Sequence, residues 1–373
     1  METLKNMESW REMMNSLLPI RSDKDRLFWV DCVRAIAILL VIICHSVEGV
    51  YHLNLEFMNA LSLRSRVFGF STFVFGRLGV PFFLMMTGYL LLDRKYDDEK
   101  VIKFWKMNWG HLLICTEIWI VLYEIQFLAL YGMPFSVGET IQRMLFLRGG
   151  RGIQMWYMPM ILGMYLLIPI MSRGLSSIRP TFLCFPIFVY SVAIYGVSFI
   201  NTIRGLLGKE YLSQLFGFEF SGGCYGLYLL MGYAISKGML KKCKVGYVAL
   251  IAGGAFIGAV VLQMVSYSHN YLFNVWYDNM FLFLCSIATF ELFSRMRIKR
   301  ESRVISMISS YSFPVYLIHG VLHYSISTYI CNLECILPVK VIIFAFISYI
   351  LSLVIALLIS RIPRVGKYIL YLK

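Results

Sequence analysis

The chain has 373 residues, of which 59% are hydrophobic and only 15% charged, with a mean hydropathy of +0.69 and a formal charge of +14. A soluble domain is about one quarter charged, so the composition excludes a string of soluble domains and fits an all-α, polytopic membrane protein. In such a chain a surplus of Lys and Arg marks cytoplasmic loops rather than a nucleic-acid surface, and no nucleic-acid partner is expected.

In chain order, residues 1–27 come first as a cytoplasmic segment. They are polar and lack the apolar core and cleavage site of a secretory signal, so the first span is expected to act as the targeting signal. Leu4, Met7, Trp10, Met14, Leu17 and Leu18 recur at helical spacing. That pattern reads either as an amphipathic helix on the inner leaflet or as a frayed terminus. A span needs about 20 apolar residues. Ten runs qualify, near 28–50, 72–92, 107–131, 153–171, 180–200, 215–236, 245–267, 274–294, 304–330 and 336–360. Pro81 interrupts the second and "SGGCYG" the sixth. Residues 28–361 then form one bundle and 362–373 a cytoplasmic tail. With ten spans, 25 Lys and Arg fall in segments on the side of the termini and 7 on the other, which places both termini in the cytoplasm. The nine Cys lie mostly inside apolar runs, where a thiol behaves as a small hydrophobe. Only Cys331 and Cys335 are close in sequence, and whether they pair stays open.

The first run, "DCVRAIAILLVIICHSVEG" at 31–49, includes an acid, a base and an imidazole in Asp31, Arg34 and His45. On a helix, the eleven steps from Arg34 to His45 leave a net rotation of only about 20° and a rise of roughly 16 Å. Asp31 lies one turn from Arg34 on the same side. All three therefore share a face that must look at protein or water, and ionisable groups at such depth are functional by default. The plainer reading is that Asp31 and Arg34 pair for packing alone; the aligned His45 weighs against it.

These residues carry a resemblance. "D31-x-x-R34-A-x-A-I" followed by His45 resembles the Arg-x10-His pattern of the acyltransferase 3 family of integral-membrane O-acyltransferases. "GRLGVPFFLMMTGYLLL" (76–92), "MWYMPMILGMYLLIPIM" (155–171), "YGLYLLMGYAI" (225–235) and "YSFPVYLIHG" (311–320) are similar to its later segments, in the same order. Thr87-Gly88 stands where that family usually has Ser-Gly, and Leu84 where it has a second Phe. The closest likeness is to compact members such as the enterobacterial common antigen and poly-N-acetylglucosamine acyltransferases. The resemblance implies acetyl transfer from acetyl-CoA to a hydroxyl of a cell-envelope saccharide or lipid-linked glycan in a bacterial inner membrane. It also implies that Arg34 and His45 are needed.

The chemistry of the first span suits that role. Arg34, oriented by Asp31, would meet a polyanionic donor from the inner side. A neutral His45 would take the acceptor's proton, since an imidazole titrates near working pH. Arg77 and Thr87 are expected to hold the donor or, with Trp156, the oxyanion. The alternative for Arg77 is a side chain that snorkels to the outer interface. Trp156, Tyr157, Glu117 and His319 are expected to contact the acceptor. Trp156 and Tyr157 also fit an interfacial belt, and Glu117 a structural ion pair. Trp29, Trp105 and Trp276 read as interfacial. His319 and His323, one turn apart, have a two-ligand spacing, but no third ligand is evident and no metal is expected. "RGGRG" (148–152) follows no strand pattern and is not read as a phosphate loop. A transporter is the rival from another class, because buried charges and broken helices suit a carrier; no internal repeat supports it. The oligomeric state is not legible.

Overall fold

The computed structural model describes residues 27–211, 223–298 and 302–372. The expected amphipathic segment at 1–20, the first part of the sixth run and the middle of "RMRIKRESR" lie outside the described residues. The described chain is all-helical.

Eight helical stretches are long and apolar enough to cross a membrane. They begin with α1 (Phe28–Tyr51). After the short α2 (Leu55–Ala60) comes a pair joined end to end, α3 (Leu63–Arg77) and α4 (Gly79–Leu91). The third stretch is α5 (Asp98–Phe104), a π turn at Trp105–Trp109, and α6 (Gly110–Tyr131). A short helix, α7 (Val137–Met144), precedes α8 (Tyr157–Ser176). The fifth runs through α9 (Cys184–Ser191) and α10 (Val197–Leu206). The last three are α12 (Val245–Ser268), α14 (Arg303–Cys331) and α15 (Leu337–Ser360). Two shorter apolar helices, α11 (Cys224–Ser236) and α13 (Met280–Ser294), occupy the places of the expected sixth and eighth spans. Against the ten expected spans, eight full-length ones stand among the described residues; α11, whose run begins outside those residues, and α13 have 13 and 15 residues, against the roughly 20 that a perpendicular crossing needs.

α1 is the hub. It packs on α3, α4, α13, α14 and α15, and 72% of its apolar window is buried, against 22% for α15. The outer helices turn Leu250, Ile251, Ile257, Ile342, Phe346 and Leu358 outward, as helices in lipid do. Glycine permits the tight crossings on which the hub depends. A Cβ at Gly76 would stand 2.8 Å from the backbone of Cys44 on α1. Gly88 and Gly232 face each other's helix reciprocally, and a Cβ on either would collide with the carbonyl of Leu229 or Met85.

The break expected at Pro81 lies at Leu78, between α3 and α4. Proline has no N–H for the carbonyl four residues earlier, which here is that of Arg77. Both halves stay helical, and Pro81 sits in the first turn of α4, where a missing N–H costs least.

Residues 362–372, expected as a tail, fold back on the bundle. α16 (Pro363–Ile369) packs on α6, the carbonyl of Ile369 accepts from Trp119 Nε1 at 2.7 Å, and Leu370 is fully buried. Cys331 and Cys335 are free thiols, as are the other seven cysteines.

Candidate active site

α1 and α14 run in the same direction, so the residues of one meet those of the other in order. At the near end Asp31 is buried. Its carboxylate accepts from the Ser309 hydroxyl at 2.6 Å, and the same hydroxyl accepts from Arg34 at 3.3 Å. Arg34 lies 3.8 Å from Asp31. The expected pair therefore exists, completed by a serine of α14. The Thr87 hydroxyl donates to the Phe83 carbonyl at 2.8 Å, and Thr87 does not line the cavity at His45. The four-residue spacing of Thr87 to Phe83 spends its proton on the helix backbone.

At the far end the imidazole of His45 is built into a chain of charges. Its Nδ1–H donates to Glu48 Oε2 at 2.7 Å, one turn along α1. The other carboxylate oxygen accepts from Arg77 at 2.8 Å. Arg77 is 4% exposed, donates to the Tyr277 hydroxyl at 3.3 Å, and lies between Phe73 and Trp276 at 4.6 and 4.3 Å from the ring centroids. The snorkelling alternative for Arg77 is overturned. With Nδ1 held as a donor, the His45 Nε2 carries the lone pair that a general base needs.

His319 stacks on His45 with centroids 5.4 Å apart. Its Nδ1 is taken by the Tyr316 carbonyl at 2.6 Å, and its buried Nε2 has no protein partner. His323 lies edge-on to His45 and stacks on Phe344, which fits packing. Among the described residues no three His, Cys, Asp or Glu side chains form a metal-ligand set.

His45 lines a small cavity with Gln154, Trp156, Tyr157, Tyr277 and Tyr316. Its volume is about 10 Å³, near the least that holds one water. Gln154 was not expected. It is buried, its amide donates to Tyr123 and to the Leu317 carbonyl, and its backbone carbonyl accepts from Tyr316. Gln154 Oε1, like His319 Nε2, has no protein partner. Gly320 makes room for this amide, since a Cβ there would strike it. Two orphaned buried acceptors beside one imidazole are unusual, and such groups in a native fold call for a functional account.

Trp156 also lines a second, larger cavity of about 400 Å³, walled by Thr116, Arg143 and the loop from Phe146 to Ile153. It thus borders both spaces. Its ring meets those of Trp276 and Tyr277; Trp156 belongs to the wall of the site, while Trp276 is 40% exposed, as its interfacial reading expects. Glu117 is not brought to either cavity; its Oε2 is buried without a protein partner. Tyr157, Tyr277 and Tyr316 bring three phenol-bearing side chains to the cavity at His45.

A family model described as an acyltransferase domain matches residues 27–361, nearly the whole chain. No curated protein and no solved structure matches it.

Proposed function

Since the chain belongs to the acyltransferase 3 family of polytopic membrane acyltransferases, we propose that it moves an acetyl group from acetyl-CoA to a hydroxyl of a cell-envelope saccharide or lipid-linked glycan. It does so from a bacterial cytoplasmic membrane with both termini inside, as the loop-charge bias suggests. α11 and α13 complete a ten-helix count as short crossings.

The observation that carries the reading is the His45–Glu48–Arg77 chain. Glu48 fixes the tautomer and orientation of the imidazole, and Arg77 supplies the counter-charge that keeps a carboxylate at this depth. Nε2 takes the proton of the acceptor hydroxyl as its oxygen attacks the thioester carbonyl. The C–O bond forms, the C–S bond breaks, and the leaving thiolate collects the proton from the imidazolium. Glu48 stabilises that imidazolium, and the partnerless Gln154 and His319 acceptors are placed to receive hydrogen bonds from the acceptor. Arg34, held by Asp31 and Ser309, meets the donor's phosphates as a guanidinium suits them.

The cavity at His45, about 10 Å³, is too small for a pantetheine arm. Donor binding therefore has to widen it. Full-length protein in detergent, given labelled acetyl-CoA and mixed glycan acceptors, tests the proposal. Label transfer that disappears in His45→Ala supports it. Solute uptake that survives His45→Ala, with no transfer by the parent protein, replaces it with the carrier reading.

A further inference from the structure

The larger cavity is walled by cations. Arg143, Arg148 and Arg151 line it, and no Asp or Glu does. The carboxylates that hold these cations stand behind the wall. Glu124, 1% exposed, lies 3.2 Å from Arg143 Nη1 and 2.8 Å from Arg151 Nε. Glu139 lies 3.1 Å from Arg143 Nη2 and 2.9 Å from Arg148 Nη1. A hydrogen bond from Arg143 and the nearby charge of Arg148 hold the Glu139 carboxyl below its ordinary range, so it serves as a counter-ion. Three guanidiniums thus share two carboxylates, which leaves one positive charge over at the cavity wall. Arg143 is 6% exposed, and its Nε has no hydrogen-bond partner.

A cavity wall lined by one sign of charge draws counter-ions toward it. Guanidinium forks match carboxylate and phosphate oxygens in geometry as well as charge. The loop between Arg148 and Arg151 is Gly149-Gly150, with Gly152 following, so a ligand can reach the backbone. The cavity holds about 400 Å³, which falls in the usual range for small-ligand sites. It shares Trp156 with the space at His45, and an aromatic face there suits a sugar ring.

We propose that this cavity is the acceptor subsite, and that the acceptor is an anionic saccharide, whose carboxylate or phosphate sits on Arg143, Arg148 and Arg151 while a hydroxyl of the same or the next sugar passes Trp156 toward His45. This rests on the acyl-transfer reading, but its test need not. The full-length protein in lipid nanodiscs is titrated with glucuronate, glucose 6-phosphate and glucose, with thermal shift and Trp fluorescence as readouts, and transfer of labelled acetyl is measured separately. The anionic sugars should bind at least about tenfold more tightly than glucose, the scale of one hydrogen bond to a charged group. Arg148→Gln, at a side chain that is half exposed, should remove most of that preference, and Arg148→Lys should keep part of it; Arg151→Gln is the second test. Comparing the carboxylate with the phosphate tells which anion is preferred. Equal binding of neutral and anionic sugars overturns the inference, as does a preference that survives both Gln variants. Displacement of glucuronate by acetyl-CoA also overturns it, by making this a donor-phosphate site. A preference that depends on Arg148 in a protein that never transfers acetyl upholds the subsite and overturns the proposed function instead.

Discussion

The two ends of α1 are built from similar residue types to different effect. At the His45 end the charges form a closed chain: imidazole, carboxylate and guanidinium touch in turn, and aromatic rings cover the last, which is 4% exposed. At the Arg34 end the guanidinium is 32% exposed, and a serine mediates between it and its acid. A group that must hold one geometry through a proton transfer gains from burial and fixed partners. A group that meets a large hydrated anion gains from access. Under the proposed function, the packed end suits the chemistry and the open end suits donor capture.

The largest expected effects lie at the packed end. His45→Ala should cut transfer on the order of 10³-fold, the scale of a lost general base. Glu48→Gln should cut kcat about 10²-fold with little change in either KM, and Glu48→Asp should recover part of it. A rise in KM at unchanged kcat would mean that Glu48 binds substrate instead. Next comes Arg77→Gln, which leaves Glu48 buried without its counter-ion. It should lower stability by about 3 kcal/mol, read as a fall in Tm in detergent, together with a loss of kcat. Unchanged Tm would show that the chain of charges is not what holds this end together.

Smaller effects belong to the open end. Arg34→Ala should raise KM for acetyl-CoA about tenfold and leave the acceptor KM near its parent value. An equal loss of kcat at constant KM would erase the distinction between the ends. Ser309→Ala should raise the same KM about fivefold, as one hydrogen bond of ordinary strength would, without affecting Tm as Arg77→Gln does.

Much of this arrangement was legible before any coordinates. The eleven-residue spacing of Arg34 and His45 placed both on one face because helical periodicity is a local property, and the family likeness rested on that stripe. Glu48 was readable by the same rule, three residues past His45, yet a lone acid at the end of an apolar run looks interfacial. Gln154 left no such trace, because a neutral amide is not conspicuous among apolar residues. The pairing of Arg77 with Glu48 joins helices 29 residues apart, and the Trp119 bond to Ile369 spans 250; no period in the chain encodes either. α13 shows the converse, where hydropathy carried the expected run at 274–294 ahead of the helix start at Met280.

Composition and periodicity alone determined that this chain is a helical membrane protein with an acid, a base and an imidazole facing inward from its first span, since burial of ionisable groups in lipid leaves a helix no other orientation. Tertiary structure alone decided which partners those groups meet. Arg77 meets Glu48, the Thr87 hydroxyl bonds to the Phe83 carbonyl, and Trp156 borders two cavities. Those outcomes depend on how closely neighbouring helices approach, which Gly76, Gly88 and Gly232 permit only once the bundle has assembled.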